Sequence, residues 1–564
     1  MNAERLLQHY ERIADAPDAI ARLRRFILDL AVRGKLVPQE ASDEPASELL
    51  KRIAKEKARL VKAGEIRKPP TLEPITDAEA LYELPRTWAW VRVGDIFDYD
   101  AGTKRDPKEL DQSRWLLELE DIEKDTSRIV ERLRVSDRDS QSTKSEFEPG
   151  DILYGKLRPY LNKVVVADEP GYSTTEIVAI RPFPRLCPEY CALAFRRPDF
   201  VAYVERLGRG TKMPRLRTPD AIVAPFPLPP LAEQHRIVAK VDELMGLCDR
   251  LEATRAGREV VRDRLAAASL ARLNAPDPES FRAYARFALD ALPALTTRHD
   301  QIKALRQTIL NLAVRGKLVP QDANDEPASE LIKRIAVEFG RCVRDGVLNK
   351  PKPVKAIADG ERLFPLPPGW ALARFNQVAS IQSNLVDPKR HKAMPHVAPD
   401  NIESWTARLL PYVSIAEAGV FSGKHLFSAG AILYSKIRPN LAKVTRVDFD
   451  GLCSADMYPI HALIDPDFLV KFMITPAFVS QAVSEDNRVA MPKINQAALS
   501  DILVPVPPIA EQHRIVAKLD ALMALCDRLE ASLTATAATR RRLLDALLAE
   551  ALAPAAGREL EAAE

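Results

Sequence analysis

The sequence predicts an α+β chain in which two α/β domains alternate with long helical segments, the whole forming a pseudo-two-fold internal repeat. Three observations predict it. The stretch Ala232–Ala253 returns almost unchanged as Ala510–Ala531. Shorter motifs recur along the chain at a nearly constant displacement. Between the copied parts lie two segments, 84–230 and 366–508, that differ in sequence and carry short apolar runs broken by Gly, Pro and Asp. Self-similarity at a fixed displacement constrains every later assignment, so it is read first.

In each copy the long repeat follows a proline stop, Leu228-Pro-Pro-Leu231 and Val506-Pro-Pro-Ile509. Such a stop ends the preceding element and fixes the entry into a helix. Apolar residues then fall at Ile237, Val241, Leu244, Cys248 and Leu251, and at Ile515, Leu519, Leu522, Cys526, Leu529 and Leu533. That spacing is a heptad seam, which buries one stripe against a partner helix. A continuous helix over 232–273 would extend roughly 60 Å at about 1.5 Å per residue.

Ile27–Gln39 returns as Ile309–Gln321 and Asp43–Ile53 as Asp325–Ile335, both displaced by 282 positions (309 − 27, 325 − 43). The second pair predicts a capped helix with an acidic N-cap, Pro45 or Pro327 in the first turn, and then an apolar stripe. Leu84-Pro-Arg-Thr-Trp88 matches Leu366-Pro-Pro-Gly-Trp370 at the same displacement. Gly150–Pro159 matches Gly430–Pro439 at 280 (430 − 150), and Met213-Pro214 matches Met491-Pro492 at 278 (491 − 213). The length change therefore falls inside the divergent segments. The expected divisions are a helical segment over 1–83 that completes the C-terminal repeat, an α/β domain over 84–230, a central helical region over 231–365, a second α/β domain over 366–508, and a C-terminal helix over 509–564. Within the first domain Asp151–Tyr154, Val164–Val166 and Ile177–Ile180 predict strands. Helical stretches are expected at 18–63, 232–273, 300–340 and 510–552, with a looser connection around Asn274–Pro278.

At 564 residues the chain exceeds one core. Its 46% hydrophobic and 29% charged residues are ordinary for a soluble globular protein. With 82 basic against 79 acidic residues the net charge is only +3, so a nucleic-acid surface would have to arise from local segregation of charge. Six cysteines in a chain of this length read as reduced, Cys248 and Cys526 as small core residues. Cys187 and Cys191 lack the second ligand pair that zinc needs. Eight scattered histidines show no metal-ligand spacing, and His235 and His513 read as solvated or interface groups. No apolar run reaches the roughly 18 residues of a membrane span, and Met1–Tyr10 does not resemble an export signal, so a cytoplasmic protein without a membrane partner is expected.

Taken together, Ala-Val-Arg-Gly-Lys-Leu-Val-Pro-Gln at 31–39 and 313–321, the two Leu-Pro-x-x-Trp motifs, Ile-Leu-Tyr-x-Lys-x-Arg-Pro at 152–159 and 432–439, and Pro-Pro-x-Ala-Glu-Gln-His-Arg-Ile-Val at 229–238 and 507–516 resemble the specificity subunit of a Type I restriction-modification system. The resemblance covers nearly the whole chain and recurs in both halves. It implies that each divergent domain is a target-recognition domain reading one half of a split DNA site. It also implies that the repeated helices form an antiparallel coiled coil, and that two modification (methyltransferase) subunits dock on them. Restriction (motor and nuclease) subunits are further partners where the system carries them. It implies no chemistry and no cofactor in this subunit. The residues agree: there is no Gly-x-x-x-x-Gly-Lys-Ser/Thr phosphate loop and no Asn/Asp-Pro-Pro-Tyr/Phe stretch. Asp106-Pro-Lys108 and Asp387-Pro-Lys389 offer an acid beside a lysine, but a nuclease would need further carboxylates.

A DNA reader needs cations for phosphates and planar polar groups for base edges. In the first divergent domain, residues 205–217 carry Arg206, Arg209, Lys212, Arg215 and Arg217 against Glu205, a local charge of +4, with Gly208 and Gly210 leaving room for close approach to a phosphate. Lys156, Arg158, Tyr160 and Lys163 form a second cluster, and Lys104 with Arg105 a third. The second domain offers Lys389, Arg390 and Lys392, then Lys436, Arg438, Asn440 and Lys443, then Arg488 and Lys493. Residues common to both domains, Lys156/Lys436 and Arg158/Arg438, suit phosphate contact or support of the fold, and could equally be ion-pair partners. Side chains that differ imply different half-sites, hence an asymmetric target, with half-sites about one helical turn apart. Two other classes remain open. A self-contained nuclease or methyltransferase would modify DNA unaided, and a coiled-coil adaptor would show no salt-dependent affinity for DNA.

Overall fold

The computed structural model describes residues 15–553 apart from 67, 140, 208–211, 276–277, 346–353, 362–363 and 484–491. The chain forms two compact units, one taking in Met1–Gly257 and Ala537–Glu564, the other Arg258–Thr536. Two sheet-rich domains are separated in the chain by a long helix, α5 below.

Among the described residues the first unit begins with helices α1 (Ala19–Val32) and α2 (Ala46–Ala63). The domain that follows begins with β1 (Ala89–Arg92), which pairs antiparallel with its last strand, β11 (Pro225–Leu228), so one ribbon ties its two ends together. Inside are two sheets. β2 (Phe97–Tyr99), β7 (Ile152–Gly155), β8 (Val164–Val166) and β10 (Ile177–Pro182) form an antiparallel sheet in the order β2-β10-β7-β8. β3 (Lys104–Arg105), β4 (Trp115–Leu117), β5 (Leu133–Arg134), β6 (Lys144–Phe147) and β9 (Gly171–Thr174) form another in the order β3-β6-β9-β4-β5, with β4 and β9 parallel. The predicted strands are thus β7, β8 and β10. Their inner faces bury Ile152, Tyr154, Val164, Val178 and Ile180 against α3 (Pro188–Phe195) and α4 (Pro198–Leu207). Trp115, Phe147, Leu153 and Ile177 form a separate core.

After Pro229 and Pro230 the chain enters α5 (Leu231–Asn274), 44 residues without a break. From Ile237 to Cys248 its seam packs as the heptad predicts. Ile237, Val241 and Cys248 are buried in one cluster with Ile27, Leu28 and Ala31 of α1, and Leu244 packs at its margin. Arg24 of α1 clamps the same pair of helices by reaching Asp249 (2.5 Å) and Glu252 (2.8 Å).

The second unit repeats this construction. α6 (Pro278–Asp290), α7 (His299–Val314) and α8 (Ala328–Arg344) lead into strands β12 (Ala371–Arg374) to β22 (Leu503–Val506). Between them lie β13 (Ala379–Ile381), β14 (Leu385–Val386), β15 (Pro395–Val397), β16 (Val413–Ser414), β17 (Lys424–Phe427), β18 (Ile432–Ser435), β19 (Val444–Arg446), β20 (Gly451–Cys453) and β21 (Met457–Ala462). The sheets, β12-β22, β13-β21-β18-β19 and β14-β17-β20-β15-β16, have the same orders shifted by eleven strands. Within this unit α9 (Pro466–Met473) and α10 (Pro476–Val483) stand where α3 and α4 stand in the first. Helix α11 (Ile509–Leu552) buries Ile515, Leu519 and Cys526 with Ile302 and Ile309 of α7, and Arg306 reaches Asp527 (2.5 Å) and Glu530 (3.1 Å). Among the described residues no helix is long and apolar enough to cross a membrane.

One local expectation is refined and one is corrected. The stretches 18–63 and 300–340 are each two helices, because Gly34 (φ 62°) and Gly316 (φ 66°) end α1 and α7 in the left-handed region. The following amides close the end, Lys35 N–H donating to Leu30 O (3.0 Å) and Lys317 N–H to Leu312 O (2.9 Å). The lysine side chains then cap the far ends of the long helices. Lys35 Nζ donates to Leu552 O (2.7 Å) and Lys317 Nζ to Ala275 O (2.6 Å), a cation on terminal carbonyls. Second, α2 and α8 have no acidic N-cap. Pro45 and Pro327 hold that position themselves, while Asp43 and Asp325 accept from Arg236 and Arg514 (2.6 Å each).

A Cβ on Gly316 would lie 2.3 Å from Pro367 Cγ as well as requiring positive φ. Gly316→Ala is therefore expected to lower stability by about 2–4 kcal/mol, from left-handed strain and overpacking together. The urea midpoint measures it, and an unchanged midpoint would show that the turn relaxes freely.

Candidate nucleic-acid interface

The polar motifs copied between the halves converge on one arrangement in each unit. Glu233, fully buried at the start of α5, accepts from Trp88 Nε1 (2.9 Å) and Gln39 Nε2 (2.6 Å). Glu511 accepts from Trp370 Nε1 (3.0 Å) and Gln321 Nε2 (3.1 Å). Burial pushes both carboxyls above their usual range, while the indole and amide donors pull the other way. Beside them Gln234 bonds Cys187 N (2.9 Å) and Pro229 O (3.0 Å), and Gln512 bonds Asp465 N (3.0 Å) and Pro507 O (2.8 Å). The Glu-Gln-x-Arg motif thus bolts each domain to its helix. Its signal in the sequence is the recurrence of the motif, with Gln39 and Trp88, in both halves of the chain. His235 and His513 stay exposed. Cys187 and Cys191 are buried, the Cys187 thiol pushed up to about 11 by desolvation. No group that could hold a metal occurs among the described residues.

Between β7 and β8 the chain makes a turn with an unusual backbone. Arg158 (φ 49°) and Asn162 (φ 52°) are left-handed, bracketing the 3-10 turn Pro159–Leu161. Arg438 (φ 48°) and Ala442 (φ 46°) do the same around Pro439–Leu441. Non-glycine residues hold this region only where the surroundings over-determine it. Here Arg158 N–H donates to Pro214 O and Arg438 N–H to Pro492 O, 2.8 Å in each. Lys156 N–H donates to Glu176 O (2.9 Å) and its carbonyl accepts from Leu216 N–H (3.0 Å); Lys436 is held alike by Asp456 and Ile494. Helix α4 or α10 backs the turn.

The turn therefore joins two of the predicted clusters in each domain, 156–163 with 212–217 and 436–443 with 493. Arg158, Tyr160 and Lys212 are exposed, as are Arg438 and Asn440. Among the described residues neither Arg158 nor Arg438 makes an ion pair. Lys436 lies 5.3 Å from the Tyr458 ring centre. Other candidates are engaged. Arg215 pairs with Glu176 (2.9 Å), Arg217 with Asp220 (2.7 Å) and Lys493 with Asp456 (3.3 Å). Lys163 Nζ donates to Leu119 O (2.6 Å) and Lys443 Nζ to Pro399 O (2.7 Å); burial lowers the affinity of Lys163 for its proton.

Lys104 and Arg105 lie apart from the turn, on edge strand β3, where Lys104 meets Ser145 Oγ (3.2 Å) and Arg105 pairs with Glu146 (2.8 Å). Asp106 and Asp387 are caps, their carboxylates accepting from Lys108 N (3.1 Å) and Lys389 N (3.0 Å). That leaves Lys389, Arg390 and Lys392 exposed beyond β14 (Leu385–Val386). Arg209, with Gly208 and Gly210, and Arg488 lie outside the described residues.

A family model described as the Type I restriction modification DNA specificity domain matches residues 369–537. The EcoAI specificity subunit of a Type I restriction enzyme, from Escherichia coli, is 33% identical over 565 residues, covering 94% of this chain and 93% of that protein. The chain belongs to the Type I restriction enzyme specificity subunits. The EcoEI specificity subunit, also from Escherichia coli, is 32% identical over 582 residues and 94% of each chain. In a solved structure on complex assembly and conformational transition of the type I R-M system, one chain shares the fold at a TM-score of 0.52 and 20% identity, covering 84% of this chain and 99% of that one. As a specificity subunit, the chain is a non-catalytic DNA-recognition component of restriction-modification, acting with DNA and the other Type I subunits.

Proposed function

We propose that each sheet-rich domain of this specificity subunit reads one half of a split, asymmetric DNA site, and that the repeated helices dock two modification (methyltransferase) subunits. The duplicated turn carries the reading. It holds an exposed arginine in the same backbone geometry in both domains, on an anchored and therefore preorganised support. Bare arginines suit phosphate, and a shared residue cannot distinguish two sequences. Around it the domains differ: 205–217 has five cations, whereas 486–493 has two, and the second domain has three exposed cations at 389–392 where the matching stretch 108–111 of the first has Lys108 alone. Different surroundings on one support favour an asymmetric target.

Mapping methylated bases in DNA exposed to the chain assembled with its modification subunit is expected to return one split, non-palindromic site. Methylation without sequence preference would overturn the proposal. DNA modification by the isolated chain with magnesium or S-adenosylmethionine would favour a self-contained enzyme instead.

A further inference from the structure

The two turns permit a position-by-position comparison, because their backbones coincide. Leu161 N–H donates to Arg158 O and Leu441 N–H to Arg438 O at 2.9 Å; the next amides donate to Pro159 O and Pro439 O at 3.0 Å. From 156 to 163, Lys, Arg, Pro, Leu and Lys are the same residues as at 436, 438, 439, 441 and 443. Position 157 changes only from Leu to Ile, and the differing pair Asn162 and Ala442 is buried. One exposed position differs in chemistry: Tyr160, against Asn440.

We propose that position 160/440 determines specificity, Asn440 reading an adenine in one half-site and Tyr160 selecting a different base in the other. This inference rests on the DNA-reading function proposed above. Its physical basis is reach and valence. Both side chains stand two residues beyond an exposed arginine, on a turn whose arginine amide is tied to Pro214 O in one domain and Pro492 O in the other. An arginine seated on phosphate would fix the register of its neighbour against the base edges. Asn presents a carbonyl and an NH2 side by side, which match adenine N6 and N7 together. Tyr has a ring and one hydroxyl. It can pack on a thymine methyl or make a single hydrogen bond, but it cannot make the paired bonds that pick out adenine. Lys156, Arg158 and their counterparts cannot supply the difference because they are the same residues.

The test uses the full chain assembled with its modification subunit and a pool of duplexes randomised over the target length, with bound sequences read by sequencing. Asn440→Ala is expected to reduce the preference for adenine at one position of one half-site by about tenfold or more, with the other half-site unchanged. Tyr160→Asn is expected to gain adenine at the corresponding position of the other half-site. Both residues are exposed, so the thermal midpoint should hold within a degree or two. Unchanged base preference in both variants overturns the inference, as does a uniform loss of affinity with a shallower salt dependence, which would mark a phosphate contact. If the unaltered chain selects no sequence at all, the DNA-reading function itself fails.

Discussion

Glu233→Ala is expected to lower stability by about 2–4 kcal/mol, seen as a fall in the urea midpoint, and Glu511→Ala should do the same in the other unit. The buried carboxylate is the acceptor for Trp88 Nε1 and Gln39 Nε2. Its removal strands both donors away from water, at about 1–3 kcal/mol for a buried unsatisfied group, and leaves a cavity besides. Glu233→Gln should cost under about 1 kcal/mol, because the Gln39 amide can flip to accept from the new NH2. The pair also separates charge from shape. Burial raises the folded carboxyl above its unfolded value, so the folded state holds the proton more firmly. This group's contribution is therefore fully present below the ordinary carboxylate range, and is lost as pH rises through the raised folded value. The stability of the unaltered chain relative to Glu233→Gln should fall across that window. A flat difference would mean that burial does not perturb Glu233, and an unaffected Glu233→Ala midpoint would remove the bolt from the account.

What the sequence disclosed and what it hid divide along a physical line. Duplication copies both partners of a contact, so the partner helices of α5 and α11 were legible from the displacement shared by Ile27–Gln39 and Ile309–Gln321. The heptad seam was legible because periodicity along a helix is a local property. Contacts between distant residues were not. Asp43 satisfies every local expectation for an N-cap, yet Arg236, 193 residues away, takes its carboxylate. The +4 charge counted over 205–217 overstates the free charge, since Glu176 and Asp220 arrive to pair with Arg215 and Arg217. Lys163 and Lys443 sit in the same motif as Arg158 and Arg438, but folding turns them toward backbone carbonyls. Counting cations along a chain measures supply; only the fold shows which remain free for a ligand.

That distinction yields the second large effect. Replacing Lys156, Arg158, Lys436 and Arg438 together by alanine is expected to weaken specific and non-specific DNA binding in parallel. It should also flatten the dependence of log affinity on log salt by between about 3 and 4 units. Each phosphate contact releases condensed counterions worth about 0.9 of that slope, and the four side chains are posed as one contact each. The left-handed φ at Arg158 and Arg438 belongs to the backbone and its anchors at Pro214 and Pro492, so alanine can keep the turn. Lys163→Met with Lys443→Met is the internal control. Their amines already donate to Leu119 O and Pro399 O, so this pair should lose about 1 kcal/mol of stability per site and leave the salt slope unchanged. The opposite pattern, a flattened slope from the Lys163 and Lys443 variants and none from the four-fold variant, would place the phosphate track elsewhere on the domains. An equal effect from both sets would show that DNA binding draws Lys163 and Lys443 away from their carbonyls, and that the turn opens when it engages.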